Sequence, residues 1–180
     1  MRSQQRAEHR RQAFHDQLTS FDDAHIVWVD ECGMHSEWSR LYGRGPRGPR
    51  IVGEISGERI VPRTRMIAAY GEGHLLTPFR FDGHTDSVVF NVWVEQCLWS
   101  QLKAGQVVML DNASFHTSYK TRQLIESADC QRLFQPAYSP DLHKIEPQWA
   151  HVKQGVRANQ ETDVSIHQKL DMQRVQMSEP

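Results

Sequence analysis

Two short apolar runs that each end in an aspartate constrain the fold of this 180-residue chain more than any other feature. The first run is IVWVD at residues 26–30, and the second is VVMLD at residues 107–111. Four consecutive apolar residues, most of them β-branched, are typical of a strand that is buried on both faces of a sheet. We therefore expect both runs to be inner strands of the sheet, with the carboxylates of Asp30 and Asp111 at or near their carboxyl ends.

The remaining hydrophobic pattern predicts strands first and then alternating helices and strands. The predicted strands are 24–30, 65–70, 74–81, 107–110 and 133–135, with a further strand at 35–40, and the predicted helices are 1–20, 86–102, 118–128 and 146–158. This order predicts an α/β fold with a mixed sheet and helices packed on it. We expect a lead-in helix at 1–20, frayed at its start, one domain at 21–160, and a polar tail or short helix at 161–180.

Charge and cysteine content restrict the class of protein. The formal net charge is −1, but seven arginines lie between residues 40 and 65, a local pattern that suits a polyanion or a solvated loop. Three scattered cysteines argue against a disulfide framework. We find neither a signal-peptide pattern nor an apolar run long enough to span a membrane. The expectation is a cytoplasmic protein without a membrane partner.

The two aspartates, Asp30 and Asp111, predict a divalent-cation site if their strands are adjacent and parallel. The carboxyl ends of such strands meet at one edge of the sheet, where ligands gather. A single aspartate in this position is also typical of a turn or a helix cap. Two carboxylates brought together repel each other unless a cation lies between them, and oxygen ligands favour Mg²⁺ or Mn²⁺.

A third carboxylate lies in the stretch AYSPDLHKIEPQW at residues 137–149. Glu146 opens a predicted helix, with an apolar stripe made by Ile145, Trp149, Val152 and Val156. A second stripe places Lys153 and Arg157 behind Glu146 on the same face, where they would contact phosphates. The alternative for Glu146 is an acid that is favoured in the first turn by the helix dipole.

Three segments together resemble a known family. VDECG, DNASFH and YSPDLHKIEPQWAHVK resemble the catalytic blocks of DDE transposases, and more narrowly those of the mariner-type superfamily in its bacterial insertion-sequence branch. Thirty-four residues separate Asp111 from Glu146, a spacing that is typical of that group. The resemblance runs from about residue 21 to residue 157.

The resemblance implies an RNase H-like, mixed five-stranded sheet with helices on both faces. Asp30, Asp111 and Glu146 would be the catalytic triad and would bind two Mg²⁺ or Mn²⁺ ions. The implied activity is cleavage of DNA at transposon ends followed by strand transfer into target DNA, with a homodimer in the active complex. The rival functions are an RNase H-like nuclease or resolvase that only hydrolyses, and a non-catalytic DNA-binding or assembly relic of a transposase.

The chain departs from the family pattern in three places. His143 and Lys144 stand where the family commonly has Asn-Pro before Ile-Glu. Relatives carry helix-turn-helix domains ahead of the catalytic domain, whereas some twenty residues precede the first predicted strand here. We therefore expect the catalytic half alone: either a truncated copy, or a chain whose helix-turn-helix region is separately encoded or fused to it by frameshifting. The tail beyond Arg157 is less similar to the family.

Further residues are expected around the site. Arg44, Arg47 and Arg50 are predicted to contact DNA or a partner subunit, with a solvated loop as the alternative. His116 is predicted to contact DNA or to steady the metal ligands, and local turn hydrogen bonds explain it equally well. Glu31 is expected to point to the opposite face and to be structural. The tryptophans Trp93, Trp99 and Trp149 are predicted to be core residues.

Overall fold

The computed structural model describes residues 2–35, 63–136 and 139–158, which form a mixed sheet flanked by helices. The strands are β1 (Ile26–His35), β2 (Arg63–Gly71), β3 (His74–Asp82), β4 (Val107–Leu110) and β5 (Gln131–Phe134). The helices are α1 (Arg2–Leu18), α2 (Ser87–Trp93), α3 (Tyr119–Glu126) and α4 (Glu146–Ala158). The strand order is β3-β2-β1-β4-β5, which confirms the predicted five-stranded sheet.

The sheet is antiparallel on one side of β1 and parallel on the other. β1, β2 and β3 pair antiparallel, whereas β1, β4 and β5 pair parallel. The tight turn between β2 and β3 contains Glu72 at φ 53° and Gly73 at φ 87°. Two successive positive φ angles match the twist of a two-residue hairpin. The predicted hairpin and the predicted mixed topology are therefore both present.

β1 is longer than the predicted strand, which ended at Asp30. Its pairing with β4 ends at Trp28 opposite Met109, but its pairing with β2 continues to His35 opposite Arg63. The backbone of β2 therefore keeps β1 extended beyond its apolar run. The prediction of a separate strand at 35–40 is wrong for residue 35, because His35 is the last residue of β1. Residues 36–40 lie outside the described residues.

The sheet buries both of its faces, each under a different pair of helices. Side chains alternate along β1, so that Trp28 and Cys32 pack on one face and Val27 and Val29 on the other. The first face is covered by α1 and α4 through Phe14, Ile145, Trp149, Val152 and Val156. The second face is covered by α2, its continuation and α3 through Phe90, Trp93, Val94, Leu98, Leu124 and Ile125.

The helix predicted at 86–102 forms, but its geometry changes along its length. Asp86 caps α2 by accepting hydrogen bonds at 2.9 Å from the backbone amides of Val88 and Val89. A π-helical turn and a 3₁₀ turn follow α2. Leu98 follows the buried Phe90 and Val94 at four-residue spacing, whereas Trp99 lies on the opposite side of the helix with the exposed Val88 and Val92 and is itself 47 % exposed. The core prediction is correct for Trp93 and wrong for Trp99.

Two regions of the sequence lie outside the described residues: the predicted tail at 161–180 and the arginine-rich segment between residues 36 and 62. Across the part of the chain that is described, no helix has both the length and the apolar character that a bilayer crossing requires.

Candidate active site

The register of β1 and β4 brings the two aspartates to one edge of the sheet. Trp28 is the Cα partner of Met109 in the parallel pairing, and Asp30 and Asp111 each follow two residues later. Because side chains alternate along a strand, Asp30 points to the same face as Trp28, the face covered by α4. The predicted adjacency of the two parallel strands is therefore confirmed.

Helix α4 lies over these strands and begins at Glu146. Its predicted apolar stripe is buried in full, through Ile145, Trp149, Val152 and Val156. The Trp149 indole Nε1 donates a hydrogen bond of 3.0 Å to Asp30 Oδ2. The charge of Glu146 also contributes to the raised pKa of Asp30. Both observations place the first turn of α4 beside the carboxyl edge of the sheet.

Asp30 lies in an environment that disfavours its charge. Burial and then the negative charge of Glu31 are the two largest causes that raise its pKa from 3.8 to about 7, and Glu146 adds to them. The hydrogen bond from Trp149 opposes this shift in the pKa. A carboxylate that is desolvated and surrounded by other carboxylates is stabilised by a nearby cation.

The donor set fits a hard divalent cation, although the carboxylates are not arranged as a closed coordination shell. Among the residues described, no group of three or more His, Cys, Asp and Glu side chains stands in metal-binding geometry. Asp30, Asp111 and Glu146 nevertheless offer carboxylate oxygens from β1, the end of β4 and the start of α4. Oxygen ligands of this kind are typical of Mg²⁺ and Mn²⁺ sites.

Asp111 is held through one of its two oxygens. Asp111 Oδ1 accepts hydrogen bonds from the backbone amide of Ala113 at 2.8 Å and from His116 Nδ1 at 2.6 Å. The hydrogen bond from His116 is the largest cause that lowers the pKa of Asp111, against the effect of its partial burial. Asp111 is therefore ionised at neutral pH, in contrast to the raised pKa of Asp30.

His116 is fully buried, so the predicted contact of its side chain with DNA is corrected. Its Nε2 lies 2.9 Å from Glu31 Oε1, while Nδ1 binds Asp111. Burial alone lowers the pKa of His116, but the hydrogen bonds and charges of the two carboxylates raise it to about 9. The second prediction for His116, that it steadies a metal ligand, stays a prediction, and the contact with Asp111 is the geometry that it requires.

His143, which replaces the asparagine common in the family, is also buried. It is 4 % exposed and meets the Trp28 ring edge-on at 5.2 Å. Among the described residues, neither ring nitrogen of His143 has a hydrogen-bond partner of good geometry. The nearby backbone of Val29 acts to raise the pKa of His143. Burial dominates and lowers the pKa of His143 to about 4, so its ring is neutral beside the site.

Helix α1 contacts the loop that leads into α4. The Arg11 guanidinium donates to both carboxylate oxygens of Asp141, at 3.1 and 2.5 Å, and to Ser139 Oγ at 2.9 Å. On the same side, Phe14 is 5 % exposed and packs in the cluster that contains Trp149. The lead-in helix is therefore an integral part of the α4 face.

The predicted DNA contacts are only partly within the described residues. Lys153 lies on α4 near Cys32. Burial raises the pKa of the Cys32 thiol to about 11, and the positive charge of Lys153 opposes this increase. Arg157 belongs to the last turn of α4. Arg44, Arg47 and Arg50 lie outside the described residues. All five DNA-contact assignments at these positions stay predictions.

Sequence reasoning missed two polar contacts of the site. Trp149 was expected only to fill the core, and Glu31 was expected to be structural on the opposite face. Glu31 does point to that face, but there it meets His116, and Trp149 donates to Asp30 while it is buried. The spacing of Glu146 and Trp149, three residues apart on one helix, was an available signal that the indole could reach the carboxylates.

The family model described as DDE superfamily endonuclease matches residues 25–166. No curated protein matches the chain. A solved Mos1 transposase paired-end complex with left transposon end aligns at 17 % identity and TM-score 0.75, over 98 % of this chain and 56 % of that one. A Mos1 mariner paired end complex with Mn aligns at 18 % identity and TM-score 0.72, over 97 % and 56 %.

A structure of the Mos1 transposase catalytic domain and Raltegravir with Mg aligns at 16 % identity and TM-score 0.61, over 97 % of this chain and 79 % of that one. The chain thus spans a little over half of the transposase chains in the paired-end complexes. These likenesses establish the predicted RNase H-like fold. Together with the family match over most of its length, they show that the chain belongs to the DDE superfamily of endonucleases and has the catalytic-domain fold of mariner-type transposases.

Proposed function

We propose that the chain is the catalytic domain of a DNA transposase, which cuts DNA at transposon ends and joins the released 3′-end to target DNA. The observation that carries this proposal is the parallel pairing of Trp28 with Met109, two residues before Asp30 and Asp111, together with the hydrogen bond from Trp149 of α4 to Asp30. The bacterial insertion-sequence branch is part of the proposal and rests on the sequence resemblance alone.

In this proposal Asp30, Asp111 and Glu146 hold two Mg²⁺ or Mn²⁺ ions. The structures of Mos1 transposase described with Mn and with Mg support this choice of ions. Divalent cations bound by carboxylates stabilise the attacking and leaving oxygens of a phosphoryl transfer. Burial and neighbouring carboxylates raise the pKa of Asp30 to about 7, so a bound cation would favour the ionised carboxylate of Asp30.

The chain's own residues orient these carboxylates and exclude water from one side of them. Trp149 holds Asp30 Oδ2 through its indole and closes the α4 face over the sheet. Lys153 and Arg157 on the same helix, together with Arg44, Arg47 and Arg50, are proposed to bind the DNA backbone. A homodimer that assembles on two transposon ends, and a helix-turn-helix region that recognises them, complete the proposed complex.

The decisive experiment compares Asp111→Asn with Asp129→Asn in a plasmid-nicking assay with Mn²⁺. Both changes replace one carboxylate by an amide, but Asp129 lies in the turn before β5, at the opposite end of the parallel strands. Its φ of 56° is one that asparagine tolerates. We expect Asp111→Asn to abolish nicking and Asp129→Asn to nick like the wild type, with both variants folded.

Two further measurements separate the rival functions. A duplex with a pre-cut 3′-end and a target plasmid test strand transfer, and hydrolysis without any joined product would favour a nuclease or resolvase. Mn²⁺ binding measured without DNA tests the third function. A folded wild-type chain whose Mn²⁺ binding does not change on replacement of Asp30 or Asp111 would be a non-catalytic relic.

A further inference from the structure

His116 connects the carboxylate of Glu31 on β1 to that of Asp111, which directly follows β4. Its Nδ1 is 2.6 Å from Asp111 Oδ1 and its Nε2 is 2.9 Å from Glu31 Oε1. The His116 side chain is 0 % exposed, the Glu31 side chain is 10 % exposed, and the Asp111 side chain is 38 % exposed. The Glu31–His116–Asp111 bridge therefore runs from the protein interior to the candidate active site.

The packing around His116 leaves its ring little freedom. The rings of Phe90 and Phe115 both lie with their centroids 4.4 Å from that of His116. Glu31 is anchored in the middle of β1, where its Cα partner is Ile67 of β2. The imidazole is therefore oriented by a tilted and an edge-on aromatic contact and by the carboxylate of a residue in the middle of the sheet.

The bridge uses only one oxygen of Asp111. Both donors that reach this carboxylate, the Ala113 amide and His116 Nδ1, bind Oδ1. No hydrogen bond from the described part of the chain reaches Oδ2. A carboxylate that is held by one oxygen and free at the other presents a defined lone pair to a cation, and such supports of a metal ligand raise its affinity.

We propose that Glu31 and His116 are positioning residues, which fix Asp111 by Oδ1 so that Oδ2 is directed at the divalent cation. This inference rests on the proposed function, because it requires that Asp111 binds a metal ion. It assigns a role to Glu31, which lies on the opposite face of the sheet from Asp30 and has no part in the triad.

Two substitutions of His116 test the proposal because each preserves a different half of the bridge. In asparagine the amide nitrogen is bonded to Cγ, as Nδ1 is in histidine, so His116→Asn keeps a donor for Asp111. In glutamine the amide nitrogen lies one bond farther out, near the position of Nε2, so His116→Gln keeps the contact with Glu31 and loses the one with Asp111.

The readout is the affinity for Mn²⁺ without DNA, measured from the electron paramagnetic resonance signal of the free ion. We expect His116→Gln to weaken Mn²⁺ binding by about 10-fold or more, the effect typical of a lost support of a metal ligand. His116→Asn should retain most of the affinity. A purely structural role for His116 would make the two variants alike. Glu31→Gln, which preserves shape, should show a smaller loss in the same direction.

A control removes a buried hydrogen bond that does not touch the bridge. Thr64 on β2 is 1 % exposed and its hydroxyl donates to Asp82 Oδ1 at 3.0 Å. Thr64→Val should lower the melting temperature while Mn²⁺ affinity stays unchanged. This test requires that Mn²⁺ binding by the wild type depends on Asp111. If it does, the positioning role is overturned when folded His116→Gln and Glu31→Gln both bind Mn²⁺ as tightly as the wild type. Wild-type binding no tighter than that of Asp111→Asn would instead overturn the proposed function, and the positioning role with it.

Discussion

The Trp149 indole donates a hydrogen bond of 3.0 Å to Asp30 Oδ2 and thereby joins the helix that begins at Glu146 to the central strand. Trp149 is 1 % exposed, so this bond forms inside the core between α4 and the sheet. A core residue and a carboxylate of the proposed triad are thus directly coupled, and the packing of α4 bears on the orientation of Asp30.

Trp149→Phe keeps most of the buried surface and removes the bond to Asp30. We expect the free energy of unfolding to fall by about 1 to 3 kcal/mol, as for a buried hydrogen bond to a carboxylate, and the rate of DNA cleavage to fall as well. Trp93→Phe is the matched control, because Trp93 is equally buried and donates a bond of 3.0 Å to the Thr77 carbonyl. Chemical denaturation and nicking assays measure both variants. Equal cleavage by the two would contradict the coupling.

Mg²⁺ is expected to stabilise the protein more at about pH 8 than at about pH 6. Burial and neighbouring carboxylates raise the pKa of Asp30 to about 7, so a proton competes with the cation below that pH. Melting curves with and without Mg²⁺ at the two pH values measure the effect. The variant Asp30→Asn should lose the pH dependence of the shift. A Mg²⁺ shift of the same size at both pH values in the wild type would count against the assignment.

The metal-free protein is expected to lose stability as the pH rises from about 6.5 to about 9. His116 has a pKa of about 9 in the folded chain and 6.5 as its ordinary value, so the folded state binds more protons in this window. Its contribution is fully present below about pH 6.5 and is lost as the pH passes through about 9. Urea denaturation across this range measures it. His116→Gln should flatten the profile, and an unchanged slope would disprove the shift.

Lys153→Ala is expected to weaken DNA binding evenly across sequences and to reduce the slope of log affinity against log salt by about 1, as for one lost phosphate contact. Lys120→Ala is the control, because Lys120 is exposed on α3, on the other face of the sheet, and pairs with Glu95. Fluorescence anisotropy with a labelled duplex at several salt concentrations measures both. A salt slope that changes equally in the two variants would remove Lys153 from the interface.

Local patterns predicted most of the secondary structure because burial follows directly from hydrophobic periodicity. The buried stripe of α4, the hairpin at Glu72 and Gly73, and the four buried residues of β4 were all predictable in this way. Trp99 was not, because the exposed side of this helix also carries the large apolar residues Val88, Val92 and Trp99, so that apolar character alone does not identify the buried side. The continuation of β1 beyond Asp30 depends on β2, which is distant in sequence.

The sequence alone identified the carboxylates that are proposed to carry the chemistry, because they follow apolar strands, open an apolar helix and lie in segments that resemble the catalytic blocks of DDE transposases. Only the tertiary structure decided how those carboxylates are held. The hydrogen bond from Trp149 to Asp30 and the bridge from Glu31 through His116 to Asp111 join residues that are far apart in the chain. Such contacts depend on strand register and on helix docking, which result from packing the whole core and leave no local pattern in the sequence.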